Sequence, residues 1–314
     1  MSRSVLLPLL VATASAGVVV EAFTPNVHTS SQSSYQVQQR QQYEHRFSRG
    51  KTTPSTTSLF DYADDGAPSD YDSEDLLPPD KEVTVDDNAD DASIRDELKR
   101  ELLLLSSITD RGSYATREEL DIVIDLVAQL EALNPTVGPA RECEGVWDLC
   151  FDSSGQLFRS SPFFQEIRAA VGSDNKDIAQ NFFNLHDAAT VGSRIGRVRQ
   201  IVSSNQLISE VDIAVPMLPG IPMKATGTVV TTADLNVVSD KTWDLQVDTT
   251  LVRGSNIPIL DMDNLKIELP VGDVYKTLMQ GSVPVFSLTT LYADEALRIS
   301  RDEDEIFYVF VKES

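Results

Sequence analysis

Apolar positions recur along this chain first with a helical period and then, beyond about residue 189, with a strand period. Ser93 is placed to cap a helix over residues 93–107, in which Ile94, Leu98, Leu102 and Leu105 return every three or four residues. Thr116-Arg-Glu-Glu119 has the form of a capping box. The helix it opens carries Leu120, Val123, Ile124, Val127, Leu130 and Leu133 on one face until Asn134-Pro135 stops it. The pair makes a helical hairpin whose apolar stripe is core packing. Residues 145–151 alternate strictly, with Trp147, Leu149 and Phe151 on one face and Val146, Asp148 and Cys150 on the other, which predicts the first strand. Residues 162–171 and 174–187 read as two short amphipathic helices.

After Ala189 the period of two persists. Residues 195–202, 208–215, 225–233, 241–252 and 265–269 are strand candidates, and Trp243, Leu245, Val247, Thr249 and Leu251 form the cleanest one-sided strand. The chain ends in a hairpin from Leu288 to Val311, whose arms flank the acidic run Asp302 to Glu305 and whose second arm, Ile306 to Val311, is wholly β-branched or aromatic. A hairpin apolar on both faces needs a cover on both. With residues 145–151 these make eight strands separated by turn-rich links, the pattern of an antiparallel sheet that closes into a small barrel. Such a barrel has room for packed side chains or one modest ligand. The fold class is therefore mainly β with N-terminal helices.

Charge changes the picture at the N-terminus. The chain has 314 residues and a net charge of −23, but residues 1–60 carry five Lys/Arg against two Asp/Glu, and residues 61–101 four against sixteen. Residues 1–22 open with Arg3, run apolar from Val5 to Val20 and end in small residues, as a secretory signal peptide does. Residues 23–60, starting Phe23-Thr-Pro25, are rich in Ser, Thr and Gln with scattered Arg, which is transit-peptide-like. Residues 61–92 read as an acidic disordered spacer, and residues 93–314 as one globular domain. A signal peptide joined to a transit peptide through Ala22-Phe23 resembles the bipartite presequence of algae with complex, red-lineage plastids, which predicts a plastid address. So acidic a protein repels nucleic acid and anionic lipid surfaces, so that any lipid contact must be apolar.

Candidate chemistry is sparse. Asp294, Glu295, Arg298 and Arg301 form the densest charged group near the apolar core, and they read as ion pairs around a turn rather than as an acid–base pair. His186 is the one histidine outside the presequence, which excludes histidine-based hydrolysis and a histidine metal site. No phosphate loop or Gly-x-Ser-x-Gly elbow occurs, and no cofactor is implied. Cys143 and Cys150 fall on opposite faces of a strand and read as small buried or half-buried residues rather than a bridge. Arg194, Arg197, Arg199 and Lys224 are either solvated outward residues or a spot for an anionic headgroup. The loop from Pro216 to Met223 is either a proline-rich connection or an apolar tip that dips into lipid or a partner.

Gly145-Val-Trp147 on the first strand resembles the opening of lipocalin-like barrels, in which the Trp closes the base and a late Arg stacks on it. Arg298 or Arg301 is thus expected to cover Trp147 in a cation–π contact. Several blocks in order resemble the plastid lipid-associated protein, or plastid fibrillin, family: Leu102-Leu-Leu-Leu-Ser with Arg111-Gly112, Leu130-Glu-Ala-Leu-Asn-Pro135, Gly145-Val-Trp147, Ser193-Arg-Ile-Gly-Arg-Val-Arg-Gln200 and Leu291-Tyr-Ala-Asp-Glu-Ala-Leu-Arg-Ile-Ser-Arg301. Gly145, Trp147, Asp294, Arg298 and Arg301 are the signature positions carried over. The chain departs from that pattern at Asp148-Leu-Cys-Phe-Asp152, where members carry a basic residue and then Leu-Tyr-Thr. The resemblance implies a lipocalin-like barrel at plastoglobules, thylakoids or stroma that binds or stores lipids and isoprenoids such as carotenoids and quinones, without catalysis. Trp147, Leu149, Phe151, Trp243, Leu245 and Val247 are the expected barrel lining. The competing expectations are a solid barrel that scaffolds lipid bodies or a biosynthetic complex, and a lipid enzyme in which Asp294 or Glu295 acts unaided.

Overall fold

The computed structural model describes residues 87–313, apart from residues 191, 217–223, 258–260, 263–267 and 279–280. The chain divides into two compact units, one comprising Met1–Ala22 with Asp91–Ser314 and the other Phe23–Asp90. Of the second, the described part is the opening turn of the first helix; the strands and the remaining helices belong to the first. The expected presequence and the tip of the loop after Pro216 lie outside the described residues.

Eight strands, β1 (Gly145–Asp152), β2 (Arg194–Val202), β3 (Gln206–Pro216), β4 (Lys224–Val237), β5 (Thr242–Arg253), β6 (Phe286–Ala293), β7 (Leu297–Arg301) and β8 (Phe307–Lys312), pair antiparallel in sequence order. β8 returns to β1, with Leu149 opposite Phe310, and closes the barrel. Every edge is therefore paired. The count of eight agrees with the sequence pattern, but the eighth strand is found elsewhere. Residues 263–267 lie outside the described residues, and Leu269 makes an isolated bridge to Thr250. The first arm of the terminal hairpin is itself two strands, β6 and β7. The carboxylate of Asp294 accepts the backbone N–H groups of Ala296 (2.8 Å) and Leu297 (2.7 Å) and turns the chain there.

Helices cover the barrel and enter it. α1 (Asp87–Ile108) and α2 (Arg117–Ala132) are the expected hairpin, and α2 begins with the capping box at Thr116 and Glu119. α1 starts at Asp87 rather than near Ser93, because the acidic residues Asp87, Asp90 and Asp91 suit the positive end of a helix as well as they suit a solvated spacer. Leu98, Leu102, Val123, Leu126, Val127 and Leu130 pack on the outer face of β6–β8. α3 (Pro162–Val171) and α4 (Lys176–Ala189) lie in the long β1–β2 connection, and α5 (Val271–Leu278) precedes β6. The terminal hairpin thus has its two covers: Phe307 and Val309 face the helices, and Tyr308 and Phe310 face the barrel interior.

The link between α1 and α2 is strained and anchored. Asp110, Arg111 and Gly112 have φ of 46°, 59° and 91°, a left-handed run costing on the order of 1–3 kcal/mol for each non-glycine residue. In return the Arg111 carbonyl accepts the Asp152 N–H (3.0 Å), and the Arg111 guanidinium donates to the carbonyls of Gly196 and of Ile195, the latter at 2.9 Å. These carbonyls flank a register shift in β2 between Ile195 and Val198. Arg111 thus ties the helical hairpin to two strands. A Cβ on Gly112 would stand 2.4 Å from the Asp152 carbonyl oxygen, which is backbone and cannot swing aside. Gly112→Ala should lower the free energy of unfolding by on the order of 2–3 kcal/mol, read as a reduced urea midpoint at unchanged m-value.

Candidate functional site

The closed end of the barrel is built around a buried cation. Trp147 on β1 and Trp243 on β5 point inward at 0% and 1% exposure, and Arg298 on β7 lies between them at 0%. The Arg298 guanidinium carbon is 5.2 Å from the Trp147 ring, 5.3 Å from Trp243 and 4.3 Å from Phe310. The expected Arg-on-Trp contact is therefore made by Arg298. Arg301 points the other way, where it holds Glu131 of α2 through two bonds of 2.9 and 3.0 Å and lies over Phe307.

No described carboxylate pairs with Arg298. One nitrogen donates to the Gln200 side-chain oxygen, while Nε and Nη1 have no partner among the described residues. Burial draws its pKa down to about 10, opposed by the neighbouring Cys143 thiol, and the group stays charged at neutral pH. Burying a charge costs several kcal/mol, and a desolvated cation–π contact returns about 2 kcal/mol. Three rings together are of the right size to offset that cost. The indole N–H groups are satisfied as well, Trp147 by the Cys143 carbonyl (2.8 Å) and Trp243 by the Ala140 carbonyl (2.7 Å), so the segment around 139–143 caps this end. Gly145 has a reason for being glycine. With φ of 135°, an added Cβ would lie 2.7 Å from Cε of Lys312, whose ammonium rests 5.2 Å from the Trp147 ring.

The predicted lining divides. Trp147, Leu149, Trp243, Leu245 and Val247 belong to the interior cluster. Phe151 does not. The β1–β8 register slips between Leu149 and Phe151, and the extra residue, Cys150, turns Phe151 outward to stack on Phe307 (5.9 Å between ring centres) beneath the helices. Cys143 is buried and Cys150 partly so, both with free thiols, and burial pushes the Cys150 thiol up to about 12.

The opposite end is occupied by α3. Phe163 and Ile167 join the interior cluster, and the turn before α3 meets two inward side chains: Gln200 donates to the Ser160 carbonyl (3.2 Å) and Tyr308 to that of Arg159 (3.4 Å). Glu166 enters with α3 at 0% exposure and accepts the Val247 N–H (3.0 Å), beside the register shift between Val247 and Thr249. Burial raises its carboxyl to about 8 despite that bond. At the rim a small open cleft lies between Phe164, Phe183, Phe286, Arg159 and Arg168. His186 is half-buried between Phe158 (4.6 Å) and Phe164 (4.8 Å), and desolvation lowers its pKa. Among the described residues no group of three or more His, Cys, Asp or Glu is placed to hold a metal, and no helix is long and apolar enough to cross a membrane.

The other charged candidates are held in ion pairs. Asp294 accepts Tyr292 Oη (2.6 Å) and Lys99 Nζ (3.0 Å) besides its two backbone amides. Burial alone would push this carboxyl up, but those four donors hold it below the ordinary aspartate range. Glu295 is exposed. On the outer face Arg197 holds Asp148 (2.7 Å) and Glu313 (3.1 Å), while Arg199 and Arg253 share Glu210. Those positions are filled from within the chain; Arg194 and Lys224 are exposed. Sequence reasoning passed over Glu166 and Gln200. A Glu in Phe163-Phe-Gln-Glu-Ile167 was the available signal, since a polar residue amid an apolar helix face needs a partner.

Residues 96–311 match the PAP_fibrillin family. The chain is also similar to a protein of Citrus unshiu named "Plastid-lipid-associated protein, chloroplastic", 25% identical over 252 residues that span 74% of this chain and 70% of the relative. No solved structure matches the chain.

Arg298→Ala would open a cavity between two tryptophans and remove the cation. Unfolding should become easier by on the order of 3–5 kcal/mol, with tryptophan emission shifted to the red. Asp294→Asn should cost on the order of 1–3 kcal/mol at neutral pH. Because the folded carboxyl titrates below its unfolded value, this stabilisation is present above about pH 4 and is lost as pH falls through the folded pKa. Denaturant midpoints of wild type and variant should therefore converge in acid.

Proposed function

Because the chain belongs to the PAP_fibrillin family, we propose that it is a non-enzymatic plastid protein that binds or helps organise lipids and isoprenoids, carotenoids and quinones among them, at plastoglobules or thylakoids. The observation that carries this reading is the barrel interior. One continuous apolar cluster runs from Trp147 and Trp243 at the sealed end to Phe163 and Ile167 at the other, where a helix rather than a wall strand completes the closure. An apolar molecule meets aromatic and aliphatic walls there, and its way in lies at the α3 end. The name of the Citrus relative supports both the lipid association and the plastid location. The acidic surface supports apolar rather than electrostatic contact with lipid.

Catalysis has little to work with. Asp294 spends both oxygens on four hydrogen bonds that shape a turn, and Glu295 is exposed beside it. One observation favours the scaffold reading as a second: the described interior is already occupied by side chains. Mass spectrometry of lipids that co-purify with residues 93–314 separates the two. The expected result is an elongated apolar lipid retained in stoichiometric amount. Protein that retains none after isolation from lipid-rich cells would overturn internal binding and leave the scaffold.

A further inference from the structure

α3 is buried nearly all round, yet it is not part of the barrel wall. Pro162, Phe163, Gln165, Glu166, Ile167 and Arg168 are all buried in a ten-residue helix that joins the rest of the chain through turns. Its two sides are held differently. On the outer side Arg168 makes a two-pronged contact with Asp304 at 2.6 and 2.8 Å, and Lys176 adds a third at 2.9 Å. Burial would raise the Asp304 carboxyl, but Arg168 and Lys176 bring it down to about 2, so this anchor stays ionised through the neutral and alkaline range.

On the inner side the contact is a single carboxyl. Glu166 Oε1 takes the Val247 N–H, and Oε2 has no partner among the described residues. The ionisable group facing it is Tyr275 of α5, which offers no positive charge. The charges of the other elements packed against α3 are directed elsewhere. Asp244 and Asp248 of β5 and Asp234 of β4 alternate with inward residues and lie on the outer face, and β6 carries Ser287 and Tyr292 but no charged side chain. Arg159 of the preceding turn lies over Phe183 and beside Asp302 and Asp304. Lys176 of α4 is on Asp304, and His186 is among phenylalanines. An ionised carboxylate with one amide donor and no counter-charge is poorly tolerated in such a place.

We propose that α3 is a removable plug that seats most firmly with Glu166 protonated, so that rising pH loosens the helix and opens the barrel to apolar ligands. The Arg168–Asp304 contact tethers the helix while its inner side lets go. The nature of the guest rests on the lipid-binding reading; the plug itself does not.

The sign follows from linkage. Seated, the carboxyl titrates at about 8; unseated and in water, it returns to the ordinary value near 4.5. Between those values the seated form holds one more proton, so the opening equilibrium rises about tenfold per pH unit and levels off above pH 8. Asp152, buried under the same connection with Oδ2 unpartnered and its carboxyl raised to about 7, faces Arg159 and Asp302 and can add to the slope.

Hydrogen exchange of the full chain between pH 6 and 9, with rates corrected for intrinsic chemistry, tests the plug. The α3 amides and Val247 should open roughly 50-fold more readily at pH 8 than at pH 6, while remaining less protected than the β3–β4 amides. Glu166→Gln should remove about one factor of ten per pH unit from that slope, and Asp152→Asn separates the second carboxyl. Exchange of α3 together with β3–β4 at every pH would overturn the plug, as would a slope unchanged in Glu166→Gln. The wild-type comparison needs no variant to fold. A neutral apolar dye, N-phenyl-1-naphthylamine, should enter the wild type over the same pH range and not Glu166→Gln. Opening without dye entry would leave the plug standing and overturn lipid binding in the interior.

Discussion

A cation with no carboxylate partner among the described residues holds the closed end of this barrel together. Arg298 reaches inward from β7 to rings on β1, β5 and β8 and to Gln200 on β2, so one side chain touches four other strands of the wall. Aromatic faces suit that role better than a carboxylate would. A buried ion pair desolvates two charges, whereas here one is desolvated and the rings lose nothing by being dry. The guanidinium also has the flat shape needed to lie among three rings, which an ammonium lacks. Both indoles then turn their N–H groups to the segment before β1, and that segment becomes the floor.

The two faces of the wall serve two cores, and irregularities decide which residue goes to which. Along β1 one extra residue sends Phe151 to the helices after Trp147 and Leu149 have gone inward. Along β6 a slip between Thr290 and Tyr292 sends Tyr292 outward, where its hydroxyl can reach Asp294 and, through it, Lys99 of α1. Along β5 the slip near Asp248 accompanies the contact between the Val247 N–H and Glu166. Each departure from strict alternation attaches a helix to the barrel.

The two ends of the barrel are closed in different ways. One is closed by aromatic stacking around a permanent charge. The other is filled by a short helix that salt bridges hold outside and a neutral carboxyl holds inside. A fixed floor with a separate closure at the far end is the arrangement on which the proposed lipid binding rests.

The sequence by itself determined the elements and most of the plan. Periodicity placed α2, β1 and α3, the capping box marked the start of α2 to the residue, and the doubly apolar Ile306 to Val311 demanded covers on both sides. The resemblance of Gly145-Val-Trp147 to lipocalin-like openings suggested an Arg on that Trp but left Arg298 and Arg301 as alternatives, and the fold placed Arg298 there. Tertiary structure alone decided the rest. A strict alternation at residues 145–151 could not reveal the bulge at Cys150, because a bulge is settled by the partner strand's register. The acidic start of α1 reads equally well as spacer or helix cap, and nothing in the local sequence makes the choice. The eighth strand came from splitting a hairpin arm at Asp294, since an Asp in an apolar run turns the chain only where its carboxylate can reach the amides two and three residues on. That Glu166 lies inside a barrel was invisible locally, because burial is fixed by what surrounds a residue and not by its neighbours in the chain.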